Sequence, residues 1–340
     1  MKAIQLVKYG DSVEAFKIAE VDKPVIGSSE VLIKTKTFGL NFADVMARRG
    51  LYKAAPPLPA VLGYEVVGEI SELGQDVKDF KIGQKVVAFT RFGGYAEFAK
   101  TDSRAIAVIP EEMDNGKATA LSTQYCTAYY AAYDMANIQE GELVLIHAAA
   151  GGVGIALIQL AKKRACRIIG TAGSDEKLAF LKELGVDYTI NYREKKFSIE
   201  IPEILGNEKP DVIFDPVGGK SFKMGKKLLN IGGRIVGYGA SDQLNRKNNF
   251  ISRIKLMLNF GFLHPVNLIF NSSGVLGVNM LKIADYKPEI IQRTLKNVVN
   301  LAVKNEIQPF VGKEFDASDI SRAHDFFESR KSIGKIVLHW

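Results

Sequence analysis

The sequence predicts an α/β protein in which a doubly wound parallel sheet follows a region of short β-strands. Up to about residue 120, runs rich in Val, Ile, Phe and Thr are separated by Gly, Pro and Asp turns at close spacing, which is typical of a compact, barrel-like all-β domain. After residue 140, apolar strands alternate with helical segments and carry glycine at or just after their C-terminal ends. That alternation indicates a parallel sheet covered by helices on both faces.

The first region begins with a predicted strand at 1–7 and continues with the strands at 31–38, 61–73, 85–89 and 95–100. From Ala118 the apolar residues recur every three to four positions as far as Met135. This spacing predicts a helix that leads into the second domain.

A glycine-rich turn lies between the strand and the helix predicted within 143–161. A turn with almost no side chains lets phosphate oxygens approach backbone N–H groups, and the helix that follows directs its positive end at them. The surrounding strand and helix units therefore predict a dinucleotide-binding loop, formed by Ala150, Gly151, Gly152, Val153 and Gly154. Ala149 replaces the first glycine of the pattern, which costs energy only if its φ is positive.

The remainder of the second domain supplies strands at 166–172, 187–191, 212–215 and 234–238 and a helix at 176–184. Ligands of such sheets bind beyond the carboxyl ends of the strands, so we expect Val217, Tyr238 and Gly239 to line the cofactor site. Helices at 288–305 and 317–329 and a strand at 335–339 are expected to return to the first domain. The expected boundaries are 1–124, 125–278 and 279–340.

Composition narrows the class of protein. The chain has 340 residues, 47% of them hydrophobic, and a net charge of +7. Its basic residues are interspersed with acidic ones along most of the chain, and this pattern does not favour a nucleic-acid partner. Two cysteines, Cys126 and Cys166, are typical of a reducing cytosol. We find no export signal or membrane span and expect a cytoplasmic protein. The basic segment 223–255 is interpreted as a solvated face, with a weak membrane-surface or acidic-partner site as the alternative. The basic and apolar segment 245–270 is the main support for a role at membranes.

These residues together resemble the medium-chain dehydrogenase/reductase superfamily, and within it the zinc-independent quinone oxidoreductases with their vesicle amine transport protein branch. The resemblance is carried along the whole chain by Asn41-Phe42-Ala43-Asp44, Arg49-Gly50-Leu51-Tyr52, Gly63-Tyr64-Glu65 with Gly68, 148–154, Asn191-Tyr192, 215–218 and 334–338. It implies a GroES-like substrate domain and a Rossmann domain. It also implies a homodimer formed through the edge of the Rossmann sheet, with 274–280 near the partner chain.

Zinc is not expected. A catalytic zinc needs three ligands from Cys, His and acidic side chains, and Tyr64 stands where zinc-dependent relatives place a histidine before glutamate. The region of their ligand cysteine is Gly39-Leu40-Asn41 here.

NADPH is the expected cofactor. The second strand of the predicted domain ends in Thr171-Ala172-Gly173, without the acid that accepts ribose hydroxyls in NAD sites. Asp175 is the alternative acid, but Ser174 before it is interpreted as a helix N-cap. The resemblance assigns Lys177 and Tyr192 to a 2′-phosphate, with Gly173 and Ser174 beside them, and Thr127 to the nicotinamide amide.

For the reaction, hydrogen-bond donors must stabilise an oxygen that becomes negative as hydride arrives on a conjugated carbon. The resemblance assigns a proton-donor role to Tyr52. Asn41 is predicted to donate, and Asp44 either to take part or to cap the helix or pair with Arg48. We expect His147 to be a satisfied core or loop residue and Cys126 a small buried one.

The predicted function is reduction of quinones or α,β-unsaturated carbonyls by direct hydride transfer from NADPH in a cleft between the domains. The first alternative is an enoyl-thioester reductase. The second is a weakly catalytic, NADPH-binding protein associated with membranes or transport.

Overall fold

The computed structural model describes residues 1–241, 259–261 and 263–340. The chain divides into two compact units, of which Met1–Cys126 with Met280–Trp340 is the first and Thr127–Asn279 the second. The basic and apolar segments at 223–255 and 245–270 fall partly outside the described residues, which leave out Arg246, Lys247, Arg253 and Lys255.

The first unit is formed mainly by β-strands. Along the chain these are β1 (Lys2–Leu6), β2 (Phe16–Glu20), β3 (Glu30–Leu40), β4 (Ala60–Val61), β5 (Glu65–Leu73), β6 (Lys85–Phe89), β7 (Phe98–Asp102) and β8 (Ile106–Val108), and then, near the C-terminus, β15 (Val311–Asp316) and β16 (Lys335–His339). The helices are α1 (Ser12–Ala15), α2 (Phe42–Arg48), α3 (Asn115–Ala120), α10 (Met280–Tyr286), α11 (Pro288–Val303) and α12 (Ile320–Glu328).

The main sheet of this unit has the order β15-β16-β3-β5-β6-β8, with β7 also paired to β3. Strand β3 is central, antiparallel to β16 on one side and to β5 on the other. Alternating residues of these strands, including Ile33, Phe38 and Val66, are fully buried in one apolar core. The starts of β5 and β16 and the end of β3 therefore lie at the same end of three neighbouring strands.

The single strand predicted at 61–73 is wrong, because the chain breaks between β4 and β5. Gly63 has a φ of 98° there, a conformation that L-residues rarely adopt and that takes the chain out of the ladder. The strand restarts at Glu65, so Tyr64 and Glu65 lie at a strand start instead of mid-strand. The strand predicted at 95–100 also begins later, at Phe98.

The helix predicted at 118–135 is present but is not uniform. It begins with α3 and contains α4 (Cys126–Tyr129) between two π-helical segments, Leu121–Tyr125 and Tyr130–Met135. Local π-helical turns often occur near functional sites. The boundary between the two units falls inside α4, between Cys126 and Thr127.

The second unit is a doubly wound α/β domain, as predicted. Its strands are β9 (Leu143–Ile146), β10 (Arg167–Ala172), β11 (Tyr188–Asn191), β12 (Val212–Asp215), β13 (Arg234–Gly237) and β14 (Gly274–Gly277), and its helices α5 (Gly152–Lys162), α6 (Asp175–Glu183), α7 (Phe197–Leu205), α8 (Lys220–Leu228) and α9 (Pro265–Phe270). The six strands are parallel, in the order β11-β10-β9-β12-β13-β14. This is the strand order of dinucleotide-binding sheets, in which the ligand site lies beyond the carboxyl ends of the strands where the order reverses.

Within the part of the chain that the structure covers, no helix is both long enough and apolar enough to cross a membrane.

Candidate functional site

The glycine turn after β9 has the geometry of a phosphate-binding loop. Helix α5 begins at Gly152, with Gly151 in the N-cap position. A Cβ on Gly154 would lie 2.5 Å from the carbonyl oxygen of Ala149 and 2.6 Å from that of Ala148, so only glycine lets the first helical turn approach the loop this closely. The first N–H groups of a helix have no partner within it, and such groups at a glycine-rich helix start suit an anion.

The strained position of this turn is not the one that the sequence indicated. Ala148 has a φ of 52°, whereas Ala149 is not among the residues with positive φ. The left-handed conformation, which costs an alanine roughly 1 kcal/mol, therefore falls one residue earlier. Ala149 packs beneath the turn instead, and a Cβ on Gly170 would lie 3.2 Å from its methyl group.

Positive charge and a phenol surround the end of β10. The strand ends at Ala172 without an acidic residue, and a Cβ on Gly173 would lie 2.6 Å from the hydroxyl of Tyr192 and 3.2 Å from Nε of Arg193. Lys177 is half-buried, and its pKa is lowered first by burial and then by the positive charge of Arg193. These cationic and phenolic groups suit a phosphate. Sequence reasoning missed Arg193, although it directly follows Tyr192.

Ser174 occupies the N-cap of α6 in extended conformation, and Asp175 and Glu176 lie in the first turn of that helix. The predicted cap position is therefore confirmed. The serine side chain, however, makes no capping hydrogen bond. The acids near this strand end belong to the helix start, where negative charge is favourable.

Two further loops at the same edge of the sheet are held together by Asp215. Its Oδ1 accepts hydrogen bonds from the backbone N–H groups of Val217 at 2.6 Å and Gly218 at 2.9 Å, and its carbonyl accepts from the N–H of Tyr238. A Cβ on Gly239 would lie 2.6 Å from the carbonyl oxygen of Pro216. The predicted residues Val217, Tyr238 and Gly239 thus occupy adjoining loops at the carboxyl ends of β12 and β13.

His147 is buried beside this edge, at the end of β9. Its Nδ1 lies 3.1 Å from the hydroxyl of Thr171, and burial lowers its pKa, which favours the neutral imidazole. Among the described residues Nε2 has no hydrogen-bond partner. The prediction of a core histidine with hydrogen-bonded ring nitrogens is therefore correct for the burial of His147 and for Nδ1, but not for Nε2.

In the first unit, Asn41 and Asp44 form the start of α2. Asn41 is the N-cap, and its backbone N–H donates to Oδ2 of Asp44 at 2.8 Å, while the N–H of Gly63 donates to Oδ1 at 3.2 Å. Asp44 therefore caps the helix, and the alternative of pairing with Arg48 is wrong. Arg48 instead donates to Glu328 and to the carbonyl of Gly10.

Asp44 is fully buried. Burial raises its pKa to about 7, and the negative charge of Glu65 adds to the rise while Lys335 opposes it. A carboxyl with no exposed surface holds the backbone of Asn41 and Gly63 in place and does not itself touch solvent.

The side chain of Asn41 lies between two buried charges that sequence reasoning missed. Its Nδ2 donates to Oε1 of Glu65 at 2.7 Å, and its Oδ1 accepts from Nζ of Lys335 at 3.0 Å. Glu65 and Lys335 are themselves an ion pair, and both are fully buried. The signal in the sequence was their presence in the two motifs Gly63-Tyr64-Glu65 and Gly334-Lys335, which lie far apart along the chain.

Two tyrosines lie next to this cluster. Tyr52, in the loop after α2, is half-buried, and its ring meets that of Tyr64 edge-on at a centroid distance of 6.4 Å. Burial raises the pKa of both phenols, and for Tyr64 the charge of Asp44 raises it further. Both hydroxyls are therefore neutral and able to donate.

Cys126 and Thr127 are both buried in α4. Burial raises the pKa of the Cys126 thiol well above its ordinary value, so it is not a reactive thiolate.

The residues of the first unit do not fit a zinc ion. No group of three or more His, Cys, Asp or Glu side chains that could hold a metal occurs among the described residues. The Glu65 carboxylate is instead paired with the ammonium of Lys335, and the adjacent position holds the neutral phenol of Tyr64.

Comparison with known proteins agrees with this geometry. Residues 27–111 match the family described as alcohol dehydrogenase GroES-like domain, and residues 152–296 match the zinc-binding dehydrogenase family. The synaptic vesicle membrane protein VAT-1 homolog of Danio rerio is 33% identical over 99% of this chain and 69% of its own. The quinone oxidoreductase of Rattus norvegicus is 30% identical over 99% and 97%.

Among solved structures, the Escherichia coli quinone oxidoreductase complexed with NADPH superposes with a TM-score of 0.86 at 27% identity, covering 100% of both chains. The fold, the sequence motifs and the matched relatives indicate the same family along nearly the whole sequence. The chain belongs to the medium-chain dehydrogenase/reductase superfamily, in the zinc-independent branch that holds the quinone oxidoreductases and the VAT-1 homologues.

Proposed function

We propose that this protein is an NADPH-dependent reductase of quinones or α,β-unsaturated carbonyl compounds that works without zinc. The observation that carries the proposal is the end of β10, where Gly173 leaves room under the phenol of Tyr192 and the side chains of Lys177 and Arg193 add positive charge. A 2′-phosphate gains charge-assisted hydrogen bonds from such groups, whereas a free ribose hydroxyl is recognised by an acid.

Cofactor selectivity tests this assignment directly. Charge-assisted hydrogen bonds contribute about 1.5–3 kcal/mol each, so Lys177→Ala and Arg193→Ala should each weaken NADPH binding by roughly tenfold or more. NADH affinity should stay near that of the wild type. Lys182→Ala, an exposed lysine in the last turn of the same helix, is the matched control. Equal losses for NADPH and NADH in both variants would contradict a phosphate site.

When bound, NADPH supplies the hydride, and the protein must stabilise the oxygen on which negative charge develops. Tyr52 is proposed as the donor to that oxygen and as its proton source, because its raised pKa keeps the phenol protonated. Asn41 is proposed as a second donor, and Thr127 is assigned to the nicotinamide amide. Asp44 supports α2 from below. Tyr52→Phe should then lower kcat by about 100-fold or more, with a smaller effect on KM.

Turnover by the purified, EDTA-treated protein tests the reaction. NADPH and NADH oxidation would be followed against 1,4-benzoquinone, 9,10-phenanthrenequinone, an alkenal and crotonyl-CoA. We expect turnover with NADPH on the quinones or the alkenal that survives chelation. Preference for crotonyl-CoA would favour the enoyl-thioester reductase instead.

NADPH binding without turnover, together with salt-sensitive binding to anionic liposomes, would favour the membrane- or transport-associated alternative.

We also propose a homodimer formed through β14, which is the edge strand of the six-stranded sheet. Among the described residues, Gly274–Gly277 pairs with β13 alone, and an edge strand of this kind can pair with a second copy. Light scattering coupled to gel filtration should give the mass of two chains, and Val275→Pro should shift it toward one.

A further inference from the structure

The ion pair between Glu65 and Lys335 is fully buried at one end of the main sheet. Lys335 is the first residue of β16 and Glu65 the first of β5, and Asn41 directly follows the last residue of β3. The ammonium of Lys335 donates to Oε1 of Glu65, to Oδ1 of Asn41 at 3.0 Å and to the carbonyl of Leu40 at 3.3 Å. An ammonium has three N–H donors, and each has an acceptor here.

The backbone makes room for this pair at one residue. A Cβ on Gly39 would lie 2.0 Å from Oε1 of Glu65 and 2.5 Å from Nζ of Lys335. Gly39 has an ordinary extended conformation in β3, so space and not φ requires glycine there. The chain thus gives up a side chain in its central strand to admit two charges, although such pairs often stabilise a fold no better than apolar residues do.

The pair fixes the orientation of the Asn41 carboxamide. A lysine only donates and a carboxylate only accepts, so Oδ1 must face Lys335 and Nδ2 must face Glu65. The flipped amide would place an N–H against the ammonium and an oxygen against the carboxylate. Of the two N–H groups on Nδ2, one is used by Glu65 in the hydrogen bonds of the described residues. Asn41 keeps 8% of its surface exposed, whereas its two charged partners keep none.

We propose that the Glu65–Lys335 pair is a positioning device that holds Asn41 as a hydrogen-bond donor, with its second N–H presented to the carbonyl oxygen of the substrate. This inference rests on the proposed reductase function. A donor that is already oriented does not have to reorganise when charge develops on that oxygen, which is the usual source of electrostatic catalysis. Glu65 and Lys335 act through Asn41 and do not contact the substrate.

A double variant that exchanges the amide and the acid tests the donor role. In Asn41→Asp/Glu65→Gln the new amide at position 65 donates to the new carboxylate at position 41, which also accepts from Lys335. The buried charges remain one negative and one positive, so the melting temperature should stay close to the wild type. Position 41 then offers only lone pairs. We expect kcat with 9,10-phenanthrenequinone to fall by on the order of 100-fold, with KM and NADPH affinity changed much less.

A merely structural ion pair predicts the opposite result. If the exchanged variant keeps kcat within about threefold of the wild type, the donor role of Asn41 is overturned. The single variant Asn41→Asp, which puts two carboxylates together, serves as the unstable comparison.

The positioning itself can be measured without turnover. In ¹⁵N-labelled protein the side-chain amide of Asn41, assigned through its loss in Asn41→Asp, should show one strongly protected proton. Glu65→Leu/Lys335→Met removes both charges together and should reduce that protection by about tenfold or more. Unchanged protection would overturn the positioning role. If the wild type reduces none of the acceptors, the proposed function fails and the donor role with it, while amide exchange still decides whether the pair holds Asn41.

Discussion

Replacing Asp44 by asparagine should remove a pH dependence from the stability of the first unit. The folded-state pKa of Asp44 is raised by burial from 3.8 to about 7, so the folded protein binds this proton more tightly than the unfolded chain. Its stabilising contribution is therefore complete below about pH 4 and is lost as the pH rises through about 7. A pKa difference of about three corresponds to on the order of 4 kcal/mol.

Proton linkage gives the part of this free energy that is lost within a given pH interval. With these two pKa values, roughly 2–3 kcal/mol of stability is lost between about pH 5 and about pH 8. The titratable groups near Asp44 are Glu65, Lys335, Tyr52, Tyr64 and Tyr95. All of them remain in the variant, so the comparison isolates Asp44.

Urea unfolding followed by tryptophan fluorescence is the assay. Trp340 is the only tryptophan of the chain and packs against Phe38 in the first unit, at a ring distance of 5.8 Å. Asp44→Asn keeps an acceptor for only one of the two N–H groups of Asn41 and Gly63, which costs about 1–3 kcal/mol at every pH. The advantage of the wild type should therefore shrink by roughly 2–3 kcal/mol from about pH 5 to about pH 8. Parallel stability curves would refute the reasoning.

Three further predictions concern stability. Ala148→Gly should stabilise the second unit by about 0.5–1 kcal/mol, because it relieves a φ of 52°. The matched variant Ala149→Gly should destabilise it. Chemical denaturation that changes stability in the same direction for both variants would contradict this. Lys335→Met should lower the free energy of unfolding by about 3–5 kcal/mol, because it leaves a buried carboxylate without its cation. Adding Glu65→Leu should recover more than half of that loss in calorimetry. Equal losses in the single and double variants would mean that the two charges do not interact. Gly39→Ala should lower stability by more than about 2 kcal/mol, since its Cβ would overlap both charged groups; a melting temperature like the wild type's would show that the pair can move away.

The sequence predicted the parts of the fold that depend on neighbouring residues. Strands β6, β12 and β16 begin and end where the apolar runs placed them. The glycine turn before α5 was visible because a close approach of helix and strand requires small residues at fixed spacing. The resemblance added Lys177 and Tyr192 as predicted ligands of a 2′-phosphate, and the structure brings Tyr192 next to Gly173 at the end of β10.

Long-range contacts decided the rest. Glu65 and Lys335 are 270 residues apart. Nothing in the neighbouring sequence distinguishes either of them from an ordinary exposed charged residue. They become a buried pair only because β5 and β16 lie on either side of β3. The break at Gly63 was hidden because the residues around it are as apolar as a strand. The sequence by itself determined the sheet, the nucleotide loop and the family, because these follow from local pattern and motif. Only the tertiary structure decided that Asn41 is held between two buried charges and that Asp44 carries a raised pKa, because burial and pairing depend on residues that only folding brings together.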